Sequence, residues 1–219
     1  MSENTTRNLP AAWLLNKVRG LDEYRTFFSA AVRNPKAVGA WTPTSAKVAH
    51  TVAQVVPTTG RPVVVELGPG TGSLSDGIHA RLPTGSRHIG LELDPELAEH
   101  LHTRKPWIEV INGAAQDLRE RLAELDIGRV DAIISSIPWS LLSDDDQNTI
   151  LNQIHELLTE QGAFTALAYL PAEHNTSGKR FRTRLTASFD EVLTRTTWRN
   201  LPPILHYLCR RPLRLPGNT

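Results

Sequence analysis

Two acidic strand ends and a glycine loop between them are the residues in this chain most suited to chemistry. Val63-Val64-Val65 is an uninterrupted β-branched run, which reads as a short strand buried on both faces. It runs into Glu66, and Leu67-Gly68-Pro69-Gly70-Thr71-Gly72 then forms a glycine turn. Ser73 is a candidate N-cap for the helix beyond, with Asp76 near the positive end of its dipole. Strand, glycine turn and helix start make a nucleotide-type site at the carboxyl edge of an open sheet. The spacing is not the G-x-G-x-x-G of a dinucleotide fingerprint, and no Lys-Ser or Lys-Thr closes the loop as a P-loop would require. A second strand, from His88 through Glu92 to Asp94, ends in acids before Pro95 opens a helix. Glu92 falls twenty residues after Gly72, where a carboxylate in a doubly wound sheet accepts hydrogen bonds from ribose hydroxyls. Asp94 is placed to cap the helix at Pro95.

The elements that position these residues follow in order. Residues 9 to 33 read as a helix whose apolar stripe runs through Leu14, Val18, Leu21, Phe28 and Val32, with Tyr24 within it. Such a stripe packs on a domain or, given its basic flanks, lies in a membrane interface. A linker over 35–46 with two prolines leads to a helix of about 44 to 56, capped by Thr44 or Ser45. Further strands are expected at Trp107–Ile111, Val130–Ser135 and Gly162–Leu170, with a polar helix over 117–125. Ser143-Asp144-Asp145-Asp146 starts a helix to about Thr159, its acids complementing the dipole rather than binding metal. Residues 171 to 184 read as a polar, basic loop holding His174, Lys179, Arg180, Arg182 and Arg184. A closing hairpin pairs about Phe189–Trp198 with Ile204–Arg210.

Composition is that of a globular protein, and no apolar run reaches membrane-spanning length. The single cysteine, Cys209, excludes an internal disulfide and a cysteine metal cluster, and fits a reducing compartment. Residues 1 to 12 are polar, so no signal peptide is expected. The formal net charge of +1 conceals segregation: +4 over residues 1–50, −10 over 51–178 and +7 over 179–219. Basic ends around an acidic middle suggest an anionic partner: a lipid surface, nucleic acid or an acidic small substrate.

The stretch Glu66 to Gly72 resembles motif I of the class I S-adenosylmethionine-dependent methyltransferases. The resemblance implies an α/β, Rossmann-like fold: a seven-stranded, mostly parallel sheet with an antiparallel last strand. The methyltransferase domain would span 44–215, behind an N-terminal helical extension and linker at 1–43. It also implies S-adenosyl-L-methionine as cofactor. Gly68, Gly70, Thr71 and Gly72 would meet its amino-acid part, Glu66 its ammonium and Glu92 its ribose, with Leu93, Ala115 and Ser135 completing the site. Family members carry an acid right after the glycine of the third strand's turn. Here that position is Ala114, so adenine recognition falls to Gln116, Asp117 or backbone groups.

Ser136-Ile137-Pro138-Trp139 stands at the motif IV position, where the methyl acceptor meets the cofactor. Enzymes acting on nucleobase amines present Asn or Asp where this chain has Ser136, a departure that argues against nucleic acid. The N-terminal helix running into Asn34–Ser45, the Ser-x-Pro element and Thr197–Pro203 resemble the bacterial phospholipid N-methyltransferases. That resemblance implies methylation of the amine headgroup of phosphatidylethanolamine or its methylated derivatives. Tyr24, Ser136, Pro138 and Trp139 would form the catalytic pocket, and Arg180, Arg182 and Arg184 would hold the lipid phosphate. The protein would be cytoplasmic, with peripheral contact to the anionic inner face of the membrane. The alternative acceptor is a soluble small-molecule amine of natural-product biosynthesis on the same scaffold.

Overall fold

The computed structural model describes residues 46–170, 175–198 and 203–213. The expected 9–33 helix with Tyr24, nearly all of the 35–46 linker, and His174 lie outside the described residues. The core is a seven-stranded sheet: β1 (Val63–Leu67), β2 (Arg87–Glu92), β3 (Glu109–Asn112), β4 (Val130–Ser135), β5 (Leu158–Tyr169), β6 (Phe189–Thr197) and β7 (Ile204–Pro212). Their order is β3-β2-β1-β4-β5-β7-β6. The first five strands are parallel, and β7 runs antiparallel to both its neighbours. Strand order reverses between the adjacent strands β1 and β4, so the loops leaving them share one switch-point crevice.

Alternation along β1 sorts the core into two layers. Val64 points to one side, where Val48 and Val52 of α1 (Ala46–Val52) and Ile78 of α2 (Ser75–His79) bury it. Val65 and Leu67 point to the other side. There they join Leu118 and Leu122 of α4 (Leu118–Ala123), Ile150 and Ile154 of α5 (Asp144–Leu157), and Phe181 and Leu185 of α6 (Thr176–Ser188). An unbroken valine run suits a strand covered on both faces, which is why no polar residue interrupts it. The remaining helix, α3 (Pro95–Arg104), follows β2 and is capped by Asp94, whose carboxylate accepts from the N–H groups of Glu96 and Leu97.

Several boundaries differ from the pattern reading. Ser73 caps nothing: the turn runs on to Leu74, α2 begins at Ser75, and the Ser73 hydroxyl pairs with that of Thr71. The 44–56 helix becomes a 3-10 turn at Ala53–Val55 after α1, and 117–125 shortens to α4 behind a 3-10 turn at Ala115–Asp117. β5 starts four residues early, because its pairing jumps from Val130–Leu158 to Ala132–Ala163 and absorbs the polar stretch as a bulge. The largest difference is α6, expected as a basic loop. Phe181 and Leu185 stand one helical turn apart and are both fully buried, while Asn175 caps the start through the Gly178 N–H.

Candidate active site

Three glycines shape the loop after β1, with Gly68, Gly70 and Gly72 all at positive φ, between +60° and +80°. Each meets a different constraint. A side chain on Gly68 would approach Ile137 Cγ2 to 2.9 Å, so this glycine lets the β1 and β4 loops close on each other. Gly70 donates its N–H to Glu92 Oε2 at 2.8 Å. Gly72 makes way for Lys105, whose Cε would lie 2.1 Å from an added Cβ. Lys105 reaches across to Asp76 at 2.5 Å and lies over the Trp107 ring. It therefore straps the end of α3 to the start of α2.

Glu92 sits at the centre of the crevice. Its Oε1 accepts from the Asp94 N–H at 2.9 Å and its Oε2 from the Gly70 N–H at 2.8 Å. The side chain is fully buried, and burial pushes its pKa up to about 7, against the pull of these N–H groups. An open cavity of about 350 Å³ lies beside it, lined by Gly68, Leu91, Glu92, Leu93, Gly113, Ala115, Gln116, Ile137, Leu142 and Ile150. One carboxylate and one amide among apolar walls suit a nucleoside: hydroxyls at Glu92, a flat base between aliphatic side chains. Gln116 lines this cavity, and its backbone carbonyl accepts from Gln153 Nε2 at 2.6 Å.

Glu66, on the α1–α2 side of β1, belongs to a different cluster. Its Oε2 accepts from Ser75 Oγ at 2.7 Å and contacts His88 Nε2 at 3.1 Å. Its Oε1 is buried without a hydrogen-bond partner. An unpaired carboxylate oxygen directly before the glycine loop fits a cofactor carrying an ammonium group, as the Glu92 cavity fits one carrying a ribose. Of the expected cofactor residues, Glu66, Gly70, Thr71, Gly72 and Ser135 do not line the cavity. Ser135 is buried, and its Oγ accepts from Trp139 Nε1 at 3.0 Å.

A second cavity, of about 580 Å³, opens on the other side of Ile137. Ser136, Ile137, Pro138, Trp139 and Ser140 form one wall, β5 supplies Leu167, Ala168 and Tyr169, and Gly178, Phe181 and Ile204 close it. Trp139 is almost wholly buried and stacks on Phe181 with centroids 4.3 Å apart, so the same ring packs the core and walls the cavity. Gln147 Nε2 holds its carbonyl at 2.7 Å. The Ser136 N–H donates to the Leu67 carbonyl and the Ser136 hydroxyl to the Gly68 carbonyl, which stitches the β4 loop to the glycine loop. Ile137 lines both cavities, so the two share one residue.

The three arginines are not brought together. Arg180 and Arg184, one turn apart on α6, both pair with Asp144 at the start of α5, and Arg184 also donates to the Gln147 amide. The Arg180 guanidinium holds the Asp144 carboxyl below its usual range. Arg182 stands two residues from each on an exposed part of the helix, because a helical period places i and i+2 on different sides. The sequence reading passed over Ile137, Ser140, Tyr169 and Phe181. Only Phe181 had a usable signal, its four-residue spacing to Leu185, which the run of cations obscured.

Comparison with known proteins agrees with this geometry. Residues 64–162 match a methyltransferase-domain family. Over 193 residues the chain is 28% identical to an ornithine lipid N-methyltransferase from Singulisphaera acidiphila, covering 87% of this chain and 97% of that protein. Among solved structures, an O-methyltransferase from Bacillus cereus in complex with SAH superposes with a TM-score of 0.63 at 12% identity, over 94% of each chain. The O-methyltransferase TomG from Streptomyces achromogenes, in complex with SAM, gives 0.61 at 14% identity, over 87% of this chain and 89% of that one. With the methyltransferase-domain match at residues 64–162, a seven-stranded sheet around it and a cavity lined by Glu92 at its switch point, the chain is similar to S-adenosylmethionine-dependent methyltransferases, a bacterial lipid N-methyltransferase among them.

Proposed function

We propose that the acceptor is the amine headgroup of a membrane lipid, with phosphatidylethanolamine or its methylated derivatives as substrate. The observation that carries this reading is the cavity beyond Ile137. Its walls are apolar and aromatic, its polar side chains are hydroxyls, and it adjoins the nucleoside cavity. The curated relative named for an ornithine lipid supports a lipid-borne amine. A charged ammonium is costly to place among such walls, so the amine enters neutral, with its proton lost to water.

S-adenosylmethionine, if held there, would supply a methyl group electrophilic enough for a neutral amine to take up. The protein's residues act by placement. Glu92, Leu93, Ala115 and Gln116 would hold the nucleoside, and the unpaired Glu66 oxygen the ammonium end. Ser136 fixes the two loops at a set separation, and Ile137 with Trp139 keeps water from the junction. Alignment of this kind accounts for several orders of magnitude in rate, roughly 7–11 kcal/mol at most. Tyr24 is proposed to complete the acceptor side, and exposed Arg182 with Lys179 to face the lipid phosphate. Anionic vesicles should accordingly recruit the protein, less so as salt rises.

The test is incubation with methyl-labelled S-adenosylmethionine and phosphatidylethanolamine or ornithine-lipid vesicles, followed by separation of lipid and aqueous products. Label in methylated lipid is expected, and the lipid carrying it identifies the headgroup. Label only in a soluble amine would move the acceptor to the small-molecule class.

A further inference from the structure

We propose that Gln147 is a positioning residue for the acceptor cavity: its buried amide ties together two walls of that cavity and holds them at the width the acceptor needs. The inference rests on the lipid-amine reading above and adds a residue that acts through Trp139. Gln147 lies near the start of α5 and is fully buried, on a helix whose other buried residues, Ile150, Leu151, Ile154 and Leu157, are all apolar. A primary amide in such surroundings is costly unless its polar atoms are partnered.

Both ends of this amide are partnered. Nε2 donates to the Trp139 carbonyl at 2.7 Å and to Ser177 Oγ at 2.9 Å, while Oε1 accepts from Arg184 Nη1. A guanidinium only donates, so the amide oxygen must face Arg184 and the NH2 must face Trp139. Arg184 is held in turn by Asp144, at 3.2 Å.

These contacts join three elements. Trp139 opens the 3-10 turn Trp139–Leu141, one wall of the cavity. Ser177 and Arg184 belong to α6, which supplies Gly178 and Phe181 to another wall. The stacked Trp139 and Phe181 rings can slide on each other, whereas hydrogen bonds fix both a distance and a direction. Gln147 thus sets the separation of turn and helix that the stack alone leaves open. The Trp139 carbonyl also accepts from the Leu142 N–H at 3.2 Å, so the turn closes on itself without Gln147. Loss of the amide donor therefore releases the turn from α6 without dismantling it.

The experiment compares wild type, Gln147→Glu, Ser177→Ala and the double variant. Gln147→Glu keeps the side-chain shape and the acceptor for Arg184 but loses the donor to Trp139 and Ser177, and Ser177→Ala removes one arm only. Methylation is measured with phosphatidylethanolamine vesicles, and calorimetry with S-adenosylhomocysteine reads the cofactor site. Cutting the link predicts a fall in kcat/KM for the lipid of about tenfold in Gln147→Glu, with cofactor affinity within about twofold of wild type. Ser177→Ala should lose about threefold, and it carries the test if Gln147→Glu fails to fold. The double variant should be no worse than Gln147→Glu, because both changes cut the same link. A purely structural role would lower the melting temperature and leave kcat/KM of the folded enzyme unchanged, or weaken cofactor and lipid together. Either of those results, or losses that multiply in the double variant, with wild type active would overturn this inference alone. Wild type that labels no lipid would overturn it together with the lipid-amine reading.

Discussion

The two cavities that meet at Ile137 are built on opposite plans. The proposed cofactor side is a backbone device: Gly68, Gly70 and Glu92 come from two strand ends, and the Glu92 carboxylate is held by main-chain N–H groups. The proposed acceptor side is a side-chain device: Trp139 stacks on Phe181, which meets Tyr207 edge-on, on elements up to 68 residues apart in the chain. A backbone device leaves its signature in contiguous residues, since glycine at positive φ and an acid at a strand end have few substitutes. A packed wall requires only apolar volume, which many residues supply. The difference also explains how one scaffold can carry different acceptors: the walls can change without touching the loop.

The sharpest break between the two sides is Glu92→Ala. It removes the acceptor for Gly70 and Asp94 as well as the proposed ribose contact, and should weaken cofactor binding by about 100-fold, several hydrogen bonds' worth. Calorimetry with S-adenosylhomocysteine measures it, and lipid-vesicle binding should be unchanged. Unaltered cofactor affinity would remove Glu92 from the site.

Next in size is pH. The Glu92 pKa of about 7 in the folded protein lies above the ordinary carboxylate value of 4.5. The folded, cofactor-free protein therefore holds this proton more tightly than the unfolded chain. Its stability contribution is greatest below about pH 4.5 and declines as pH rises towards 7. Hydroxyl donors favour the ionised form, so cofactor affinity should run the opposite way, rising by up to about tenfold per unit below pH 7 and then levelling. Thermal melts and calorimetry across this range, with Glu92→Gln as the flat control, read both slopes. Parallel slopes would contradict the assignment.

Gly68→Ala tests the junction. Positive φ and the 2.9 Å approach to Ile137 predict a cost of roughly 1–3 kcal/mol, seen as a lower melting temperature. Because Ile137 borders both cavities, KM should rise for cofactor and acceptor together. A rise for one alone would mean that the cavities are not mechanically joined. The smallest effect belongs to Lys105→Met. Its partner Asp76 is largely exposed, so the loss should stay under about 1 kcal/mol, with a modest rise in cofactor KM.

The same contrast governs what could be read before the structure. The valine run, the glycine turn, Glu92 and the Asp94 cap follow from local rules, and the mostly parallel seven-stranded sheet with its antiparallel β7 follows from the resemblance those residues carry. Tyr169 and Ser140 reach the site only through sheet register and a 3-10 turn, which no local pattern encodes. The cation-rich stretch from Lys179 to Arg184 was misread for a physical reason. Charges on an exposed helix face look like loop composition unless the buried Phe181–Leu185 pair is weighed against them. Once that helix forms, Arg180 and Arg184 are drawn to Asp144, and the expected three-arginine phosphate clamp does not assemble.

The central claim, that cofactor and acceptor cavities meet at Ile137, is tested most directly by a crystal structure with S-adenosylhomocysteine and a short-chain phosphatidylethanolamine. The account predicts the ribose hydroxyls on Glu92, the adenine beside Gln116, and the sulfur facing the lipid amine across Ile137 and Ser136. A nucleoside bound away from Glu92, or an amine lodged outside the Trp139–Tyr169 cavity, would contradict it.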